Sequence, residues 1–126
     1  LSELIIPQGK YPLILETAGG LFSPFDEENT MLDLIKKAGF PVVLVCNWYL
    51  GSINHSLLTY ELLKQNNIPF LGWVISGADN KFSEEFVKSK IGSEPLFRIP
   101  KFETEDLVNW DNLLIEVKEK IYAKLG

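Results

Sequence analysis

The chain has 126 residues, of which 46% are hydrophobic and 23% charged, and these values are ordinary for one soluble globular domain. Its net charge of −5 argues against non-specific binding to nucleic acid, which relies on clustered lysine and arginine. The single cysteine excludes an intrachain disulfide and a cysteine-ligated metal cluster, and no apolar run approaches the roughly 20 residues that a membrane span requires.

The first predicted elements are a strand and a helix. Residues 11–16, YPLILE, form a short apolar run that ends on a carboxylate, which is the pattern of a buried strand. Small residues then interrupt the run. Residues 30–38 are predicted as a helix, with Asn29 or Thr30 as its cap and Gly39 as its stop.

The middle of the chain alternates strand and helix patterns. A β-branched run at residues 41–46, PVVLVC, is typical of a central parallel strand that is covered on both faces. Residues 53–65 carry apolar side chains on one helical face, and residues 68–75, IPFLGWVI, are a further predicted strand. Residues 82–90 are predicted as a helix, and residues 95–99 as a short apolar stretch bounded by prolines.

A final amphipathic helix is predicted from an apolar stripe that places Trp110 in the core. The stripe consists of Leu107, Trp110, Leu113, Leu114, Val117, Ile121 and Leu125. Alternating strands and helices imply parallel strands joined by crossovers, so we predict an α/β fold with a mostly parallel sheet, as a single domain over residues 1–126. Ligands bind such sheets beyond the carboxyl ends of the strands, here at residues 16–20, 47–54 and 76–79.

Three motifs occupy these segments: ETAGG at residues 16–20 with Pro24 after it, LGSINHSLLT at residues 50–59, and GWV at residues 72–74. In that order they are similar to the E-G-A-G-G…P, L-G-x-I-N-H-x-x-L-T and G-W-V-A-N motifs of the dethiobiotin synthetases. Their spacing also agrees, over residues 11–100. One glycine-rich turn alone would be a weak match, whereas three motifs in register are a specific one.

The resemblance implies a three-layer P-loop-NTPase-like fold, with helices on both faces of the sheet and an incomplete N-terminal part. It implies a ligase of biotin biosynthesis that uses ATP and Mg²⁺ to convert 7,8-diaminononanoate and CO2 to dethiobiotin. In the family one amine forms a carbamate, ATP phosphorylates it, and the second amine closes the ring and releases phosphate. It further implies a cytoplasmic homodimer with the substrate site at the subunit interface, and neither a nucleic-acid nor a membrane partner.

By this resemblance Glu16 is a Mg²⁺ ligand beside the ATP phosphates, because a carboxylate that ends a buried strand is costly unless a cation or a partner compensates it. The alternative is a strand-end glutamate that caps a helix or pairs with a lysine. Ala18, Gly19 and Gly20 let a ligand approach backbone N–H groups closely, or they form a tight turn and nothing more. Thr17 replaces a glycine of the family and would be strained at a positive φ.

The turn at residues 51–54 opens a predicted helix, and N–H groups at a helix start suit a carboxylate. In the family this turn, from the opposite subunit, holds the carboxylate tail of the diamine. Plain capping by Ser52 or Asn54 is the alternative, and we expect both to hold. His55 is the only histidine and is not assigned as a catalytic base. The implied substrate-binding residues are Ala18, Gly19, Gly20, Tyr49, Leu50, Gly51, Ser52, Ile53 and Asn54.

On the nucleotide side, Ser76 stands where the family has the asparagine that binds adenine, and a serine has a shorter reach. Residues 95–100, PLFRIP, resemble the family's P-L-L-G-x-I-P stretch but are one residue shorter and lack its glycine. An ordinary surface connection is the alternative for them. The implied nucleotide-binding residues are Glu16, Thr17, Ala18, Gly19, Ser76, Gly77, Pro100, Lys101 and Phe102.

The family's P-loop, G-x-x-x-x-x-G-K-T, has no match in the chain, and neither the early carbamate-site lysine nor the second acidic metal ligand is present. No catalytic residue is therefore identified, and we predict that the chain alone is inactive and needs a partner. A start at Leu1-Ser2-Glu3 suggests a piece of a longer protein. The alternatives are a non-catalytic interaction module and another P-loop-superfamily member, although the LGSINH match speaks against the latter.

Overall fold

The computed structural model describes residues 1–7, 9–10, 13–102 and 110–125. The chain divides into two compact units, Leu1–Phe40 and Pro41–Gly126. Parallel strands alternate with helices in the second unit, which confirms the predicted α/β class. None of the described helices is both long and apolar enough to cross a bilayer. The elements are α1 (Met31–Ala38), β1 (Val42–Cys46), α2 (Ser52–Gln65), β2 (Phe70–Gly77), α3 (Lys81–Ile91), β3 (Arg98–Pro100) and α4 (Trp110–Leu125).

Helix α1 of the first unit begins and ends where its sequence predicts. The Asp33 carboxylate accepts hydrogen bonds from the backbone N–H and the hydroxyl of Thr30, at 2.9 and 2.7 Å. These bonds hold the pKa of the Asp33 carboxyl below its ordinary value. Gly39 adopts a left-handed φ of 68° and its N–H donates to the Ile35 carbonyl oxygen, which closes the helix.

The strand predicted at residues 11–16 is not present in the part of the segment that the structure describes. Tyr11 and Pro12 lie outside the described residues, and residues 13–16 are in no strand. Leu13, Ile14 and Leu15 are exposed. An apolar run indicates what could be buried, but a strand also needs a neighbour that pairs its N–H and C=O groups. None of the described strands pairs with residues 13–16.

The sheet of the second unit has three parallel strands in the order β1-β2-β3. Leu44 lies beside Trp73, and Cys46 beside Ile75, so β1 and β2 end close to the same level. The pairing of β1 with β2 shifts by one residue between Val42 and Val43, at the start of β1. Because all three strands run the same way, their carboxyl ends lie at one edge of the sheet.

Helices cover both faces of this sheet, which gives the second unit the three layers that the sequence predicts. On one face the buried cluster joins β1 and β2 to α3 and is flanked by α2; it consists of Cys46, Trp73, Ile75, Val87 and Ile91, with Ile53 and Leu57 against it. On the other face α4 packs next to β2 and β3, through Val117 and Ile121 against Val74, Leu96 and Phe97.

The prediction that Trp110 is a core residue is wrong, because Trp110 is 47% exposed. It begins α4, and its ring lies 5.7 Å from that of Phe102. Trp110 is the first residue of α4, about two turns before Val117, so it lies at the end of the helix and not beside the cluster that Val117 and Ile121 contact. Of the stripe side chains that the structure describes, Val117 and Ile121 pack against Val74, Leu96 and Phe97; Leu107 and the side chain of Leu125 lie outside the described part.

Cys46 is expected to react slowly with an aromatic disulfide reagent in the native chain and rapidly in guanidinium. Its side chain is 1% exposed, and burial raises the pKa of the thiol, although a hydrogen bond with Ser56 opposes this. The thiolate is the reactive form. Burial therefore slows the reaction in two ways: it blocks access of the reagent to the sulfur, and it raises the pKa so that less thiolate is present. Absorbance at the released thiolate's band measures the rate, and stoichiometric labelling of the native chain within seconds would contradict the buried position.

Candidate functional site

The carboxyl edge of the sheet brings the ends of β1 and β2 together. Asn47 follows β1, and a Cβ placed on Gly77 at the end of β2 would lie 2.7 Å from the Asn47 Oδ1. The same oxygen accepts a hydrogen bond from the Trp48 N–H at 2.7 Å. Two of the predicted ligand-binding segments, residues 47–54 and 76–79, are therefore neighbours. Sequence patterns did not single out Asn47, since its contact with Gly77 arises from strand register.

The turn of residues 49–54 connects this edge to α2 and is closed by its own hydrogen bonds. The Ser52 N–H donates to the Tyr49 carbonyl oxygen at 3.0 Å, and the Tyr49 N–H donates to the Ser52 Oγ at 3.2 Å. Ser52 is buried, whereas Leu50 is fully exposed. The turn therefore presents Tyr49 and Leu50 outward and keeps the serine inside.

The predicted capping of α2 by Ser52 or Asn54 is wrong. Gly51 is the N-cap residue, with a φ of 89° that suits glycine, and no described side chain caps the helix. The Ser52 hydroxyl is engaged with the Tyr49 N–H instead. The Ser52 N–H donates to the Tyr49 carbonyl oxygen, whereas the N–H groups of Ile53 and Asn54 have no acceptor within the helix, so this helix start can receive an anion.

Tyr49 and His55 form a side-chain pair over this turn. The Tyr49 hydroxyl lies 2.9 Å from the His55 Nδ1, and the two rings are tilted, with centroids 5.9 Å apart. A Cβ placed on Gly51 would lie 3.9 Å from the His55 Cε1, so the imidazole reaches the N-cap of its own helix. Both side chains are exposed and accessible to a ligand.

The nucleotide-side residues of the second unit lie on two adjacent strand ends. Ser76 is paired with Ile99, and Gly77 with Pro100, so Lys101 and Phe102 continue from the same edge. This brings together Ser76, Gly77, Pro100, Lys101 and Phe102, five of the residues predicted from the resemblance. The arrangement gives a short hydroxyl, backbone groups, a lysine and an aromatic ring along one edge.

Two side chains of the shortened stretch at residues 95–100 have structural roles. Phe97 is buried against Val74 in the core on the α4 face. The Arg98 guanidinium pairs with Asp79 at 2.9 Å and also with Glu84 on α3. Arg98 therefore links β3 to the loop after β2 and to the first turn of α3. Its charge is compensated by two carboxylates beside the proposed nucleotide side.

The segment of residues 16–20 belongs to the first unit, where it forms an exposed turn. Gly19 has a φ of 78°, and a Cβ there would lie 2.6 Å from the Ser23 Oγ, so this position favours glycine. The Ser23 N–H donates to the Gly20 carbonyl oxygen at 2.9 Å, and the space beside Gly20 is open. Thr17 is not among the described residues with a positive φ, so the strain expected for a β-branched residue in that conformation does not arise.

Glu16 is exposed, so the burial cost from which a compensating cation was predicted does not apply to it. Its carboxylate still fits the role of one Mg²⁺ ligand, because Mg²⁺ keeps several waters and needs only one or two protein carboxylates beside phosphate oxygens. Within the described ranges, no three acidic, histidine or cysteine side chains are grouped closely enough to hold a metal by themselves.

Comparison with known proteins agrees with the motif resemblance. The chain is 40% identical to the ATP-dependent dethiobiotin synthetase BioD of Campylobacter jejuni serotype O:2 over 109 residues, which are 86% of this chain and 53% of the relative. The corresponding protein of Rhodopseudomonas palustris is 35% identical over 84% of this chain and 50% of its own length. The biotin biosynthesis bifunctional protein BioCD of Bordetella avium is 36% identical over 83% of this chain and 23% of its own length.

These relatives confirm the resemblance that the three motifs predicted. They also show how much of a relative's length the chain covers. The chain spans about half the length of the dethiobiotin synthetases that it matches. A family model described as an AAA domain matches residues 2–108, which include all three motifs and the sheet edge with its turn. The chain belongs to this AAA-domain family.

Proposed function

We propose that this chain is the C-terminal portion of a dethiobiotin synthetase, which closes the ureido ring of dethiobiotin from 7,8-diaminononanoate and CO2 with ATP and Mg²⁺. The observation that carries the proposal is the 40% identity to such an enzyme over 86% of the chain. It is supported by the position of the LGSINH motif, which starts α2 directly after the carboxyl end of β1. Ligands of parallel α/β sheets bind at this edge.

The turn of residues 49–54 receives the carboxylate tail of the diamine. The uncapped start of α2 favours an anion, because its N–H groups and the helix dipole both attract negative charge. Gly51 leaves room for close approach to the backbone, and Tyr49 and Leu50 are exposed beside it. The substrate set on this turn is Tyr49, Leu50, Gly51, Ser52, Ile53 and Asn54.

By the same resemblance, the glycine turn of the first unit contacts the nucleotide and the reacting end of the diamine, and the strand ends of the second unit contact the nucleotide. Glu16 holds Mg²⁺, which when bound neutralises charge on the ATP phosphates. Backbone groups of Thr17, Ala18 and Gly19 approach the phosphates, and Ala18, Gly19 and Gly20 approach the diamine. The base is flanked by Ser76, Gly77, Pro100, Lys101 and Phe102.

The reaction itself needs groups that this chain does not supply. A carbamate oxygen of the first amine attacks the γ-phosphorus of ATP and ADP leaves; the second amine then attacks the carbamoyl carbon, and phosphate leaves as the ring closes. Phosphoryl transfer depends on positioning and on charge stabilisation, and the lysine of a P-loop provides much of both. This chain contributes binding surfaces to that reaction within a cytoplasmic homodimer that has no nucleic-acid or membrane partner.

We expect the complete protein that contains this chain to form dethiobiotin from 7,8-diaminononanoate, bicarbonate and MgATP, detected by mass spectrometry. The 126-residue chain alone is expected to release no phosphate above the level without enzyme. Omission of the diamine is the control for unrelated ATPase activity. The absence of dethiobiotin with the complete protein would reject the proposed function, and diamine-dependent phosphate release by the chain alone would reject its inactivity.

A further inference from the structure

We infer that His55 is a positioning residue that turns the Tyr49 hydroxyl into a hydrogen-bond donor for the carboxylate bound at the turn of residues 49–54. The inference rests on the proposed function, because it takes the ligand of this turn to be the carboxylate of the diamine. It goes beyond that function by giving a role to His55, which the family motif contains but which was assigned no ligand contact.

The contacts fix the two side chains relative to the N-cap of α2. The 2.9 Å separation of the Tyr49 hydroxyl from the His55 Nδ1 is that of an ordinary hydrogen bond. The His55 backbone N–H donates to the Gly51 carbonyl oxygen at 3.0 Å, so the imidazole is carried by the first turn of the helix. Tyr49 is 59% exposed, and a ligand can therefore reach its hydroxyl.

The direction of the Tyr49–His55 hydrogen bond decides what the phenol offers to a ligand. A phenol that donates to Nδ1 presents only oxygen lone pairs, which repel a carboxylate, since an ionised carboxylate only accepts. A phenol that accepts from an Nδ1–H keeps its own proton free for the carboxylate. A neutral imidazole can exchange its tautomer through water: Nδ1 gains a proton while Nε2 loses one. The ring therefore becomes protonated at Nδ1 without acquiring a net charge. Binding of the carboxylate therefore selects the form of His55 that is protonated at Nδ1.

The imidazole of His55 gives this inference a direct spectroscopic readout. In the complete protein labelled with ¹⁵N-histidine, the His55 signals are those absent from His55→Asn, and titration with 7,8-diaminononanoate at fixed pH is expected to move the Nδ1 signal of His55 toward that of a protonated nitrogen. The methyl ester of the diamine, which lacks the carboxylate, is expected not to do so. If backbone amides of residues 50–54 respond to the diamine while Nδ1 does not, the inference is wrong and the proposed function stands. If neither responds, the carboxylate site itself is rejected, and the inference with it.

Substitutions test the same point by affinity. Tyr49→Phe is expected to weaken binding of the diamine about tenfold, the effect of losing one hydrogen bond to a charged group. His55→Ala is expected to weaken binding by a smaller factor, because the Tyr49 hydroxyl remains but is no longer held in the donating orientation. His55→Asn is expected to retain most of the affinity, because its carboxamide can donate to the phenol from near the Nδ1 position. Tyr122→Phe, an exposed tyrosine on α4, is the matched control. Unchanged affinity in His55→Ala, or equal losses for diamine and methyl ester, would overturn the inference.

Discussion

Replacement of Trp73 by alanine is expected to lower the free energy of unfolding by about 3–5 kcal/mol, the usual cost of removing a buried aromatic side chain. Trp73 is 0% exposed and belongs to the core cluster with Cys46, Ile75 and Val87. Its indole N–H also donates to the Ser93 carbonyl oxygen at 3.0 Å. Alanine leaves both a cavity and an acceptor without its donor, and the two effects add in the same direction. Domains of this size are stable by about 5–15 kcal/mol, so the loss is large.

Guanidinium unfolding followed by far-UV circular dichroism measures this loss. Trp110→Ala removes the same side chain from a position that is 47% exposed and is expected to cost no more than about 1 kcal/mol. Trp73→Phe retains much of the buried area and is expected to lose less than Trp73→Ala, which keeps the comparison informative if the alanine variant does not fold. Equal losses in Trp73→Ala and Trp110→Ala would contradict the buried position of Trp73.

The sequence predicts best those elements whose first and last residues are set by neighbouring side chains in the chain. Helix α1 follows Thr30 and stops at Gly39, because an N-cap hydroxyl and a left-handed glycine act on their immediate neighbours. The run at residues 41–46 predicts β1 as a strand, because its β-branched residues suit an extended backbone. The prediction that this strand is central and covered on both faces is wrong, since β1 is at the edge of the described sheet and Val45 is 62% exposed. The parallel sheet follows in turn from the alternation of strands and helices.

The predictions that failed depend on what lies next to a segment. The apolar run that ends at Glu16 predicts a strand, but a strand also needs a second strand to pair with. The sequence of the run does not show whether such a partner is present. The stripe on α4 predicts which face is apolar, but it does not specify which of its residues contact the sheet: Val117 packs against Val74, Leu96 and Phe97, whereas Trp110 is exposed. The cap of α2 was assigned to a serine whose hydroxyl bonds instead to Tyr49.

The candidate site divides in the same way. Motifs predict the turn of residues 49–54 and the strand ends near Ser76, because these positions are fixed by the sequence order of strands and loops. Contacts between side chains from separate elements carry no local pattern, and the packing of Asn47 on Gly77 and the pairing of Arg98 with Asp79 arise only from register. These contacts place the carboxamide of Asn47 and the ion-paired guanidinium of Arg98 at the edge of the sheet. Neither residue belongs to one of the three motifs.

Glu16→Gln in the complete protein is expected to lower kcat for dethiobiotin formation by about 10²–10³, with little change in the KM for the diamine. The range is that for removing one group that stabilises transition-state charge. Glutamine retains the size of the side chain but not its charge, and Mg²⁺ prefers anionic oxygen ligands beside the phosphates. Because Glu16 is exposed, the substitution leaves no buried group unpaired and is expected to leave stability unchanged.

The measurement is steady-state formation of dethiobiotin at several Mg²⁺ concentrations, since loss of a metal ligand also raises the concentration of Mg²⁺ that gives half-maximal rate. Glu61→Gln is the matched control, because Glu61 is an exposed glutamate on α2 whose one described ion pair, with Lys64 at 3.3 Å, is a surface contact of small energy. A kcat for Glu16→Gln equal to that of Glu61→Gln at low Mg²⁺ would remove Glu16 from the metal site. A reduced kcat with an unchanged Mg²⁺ dependence would instead assign its carboxylate to the diamine or the turn, because only a metal ligand couples the two measurements.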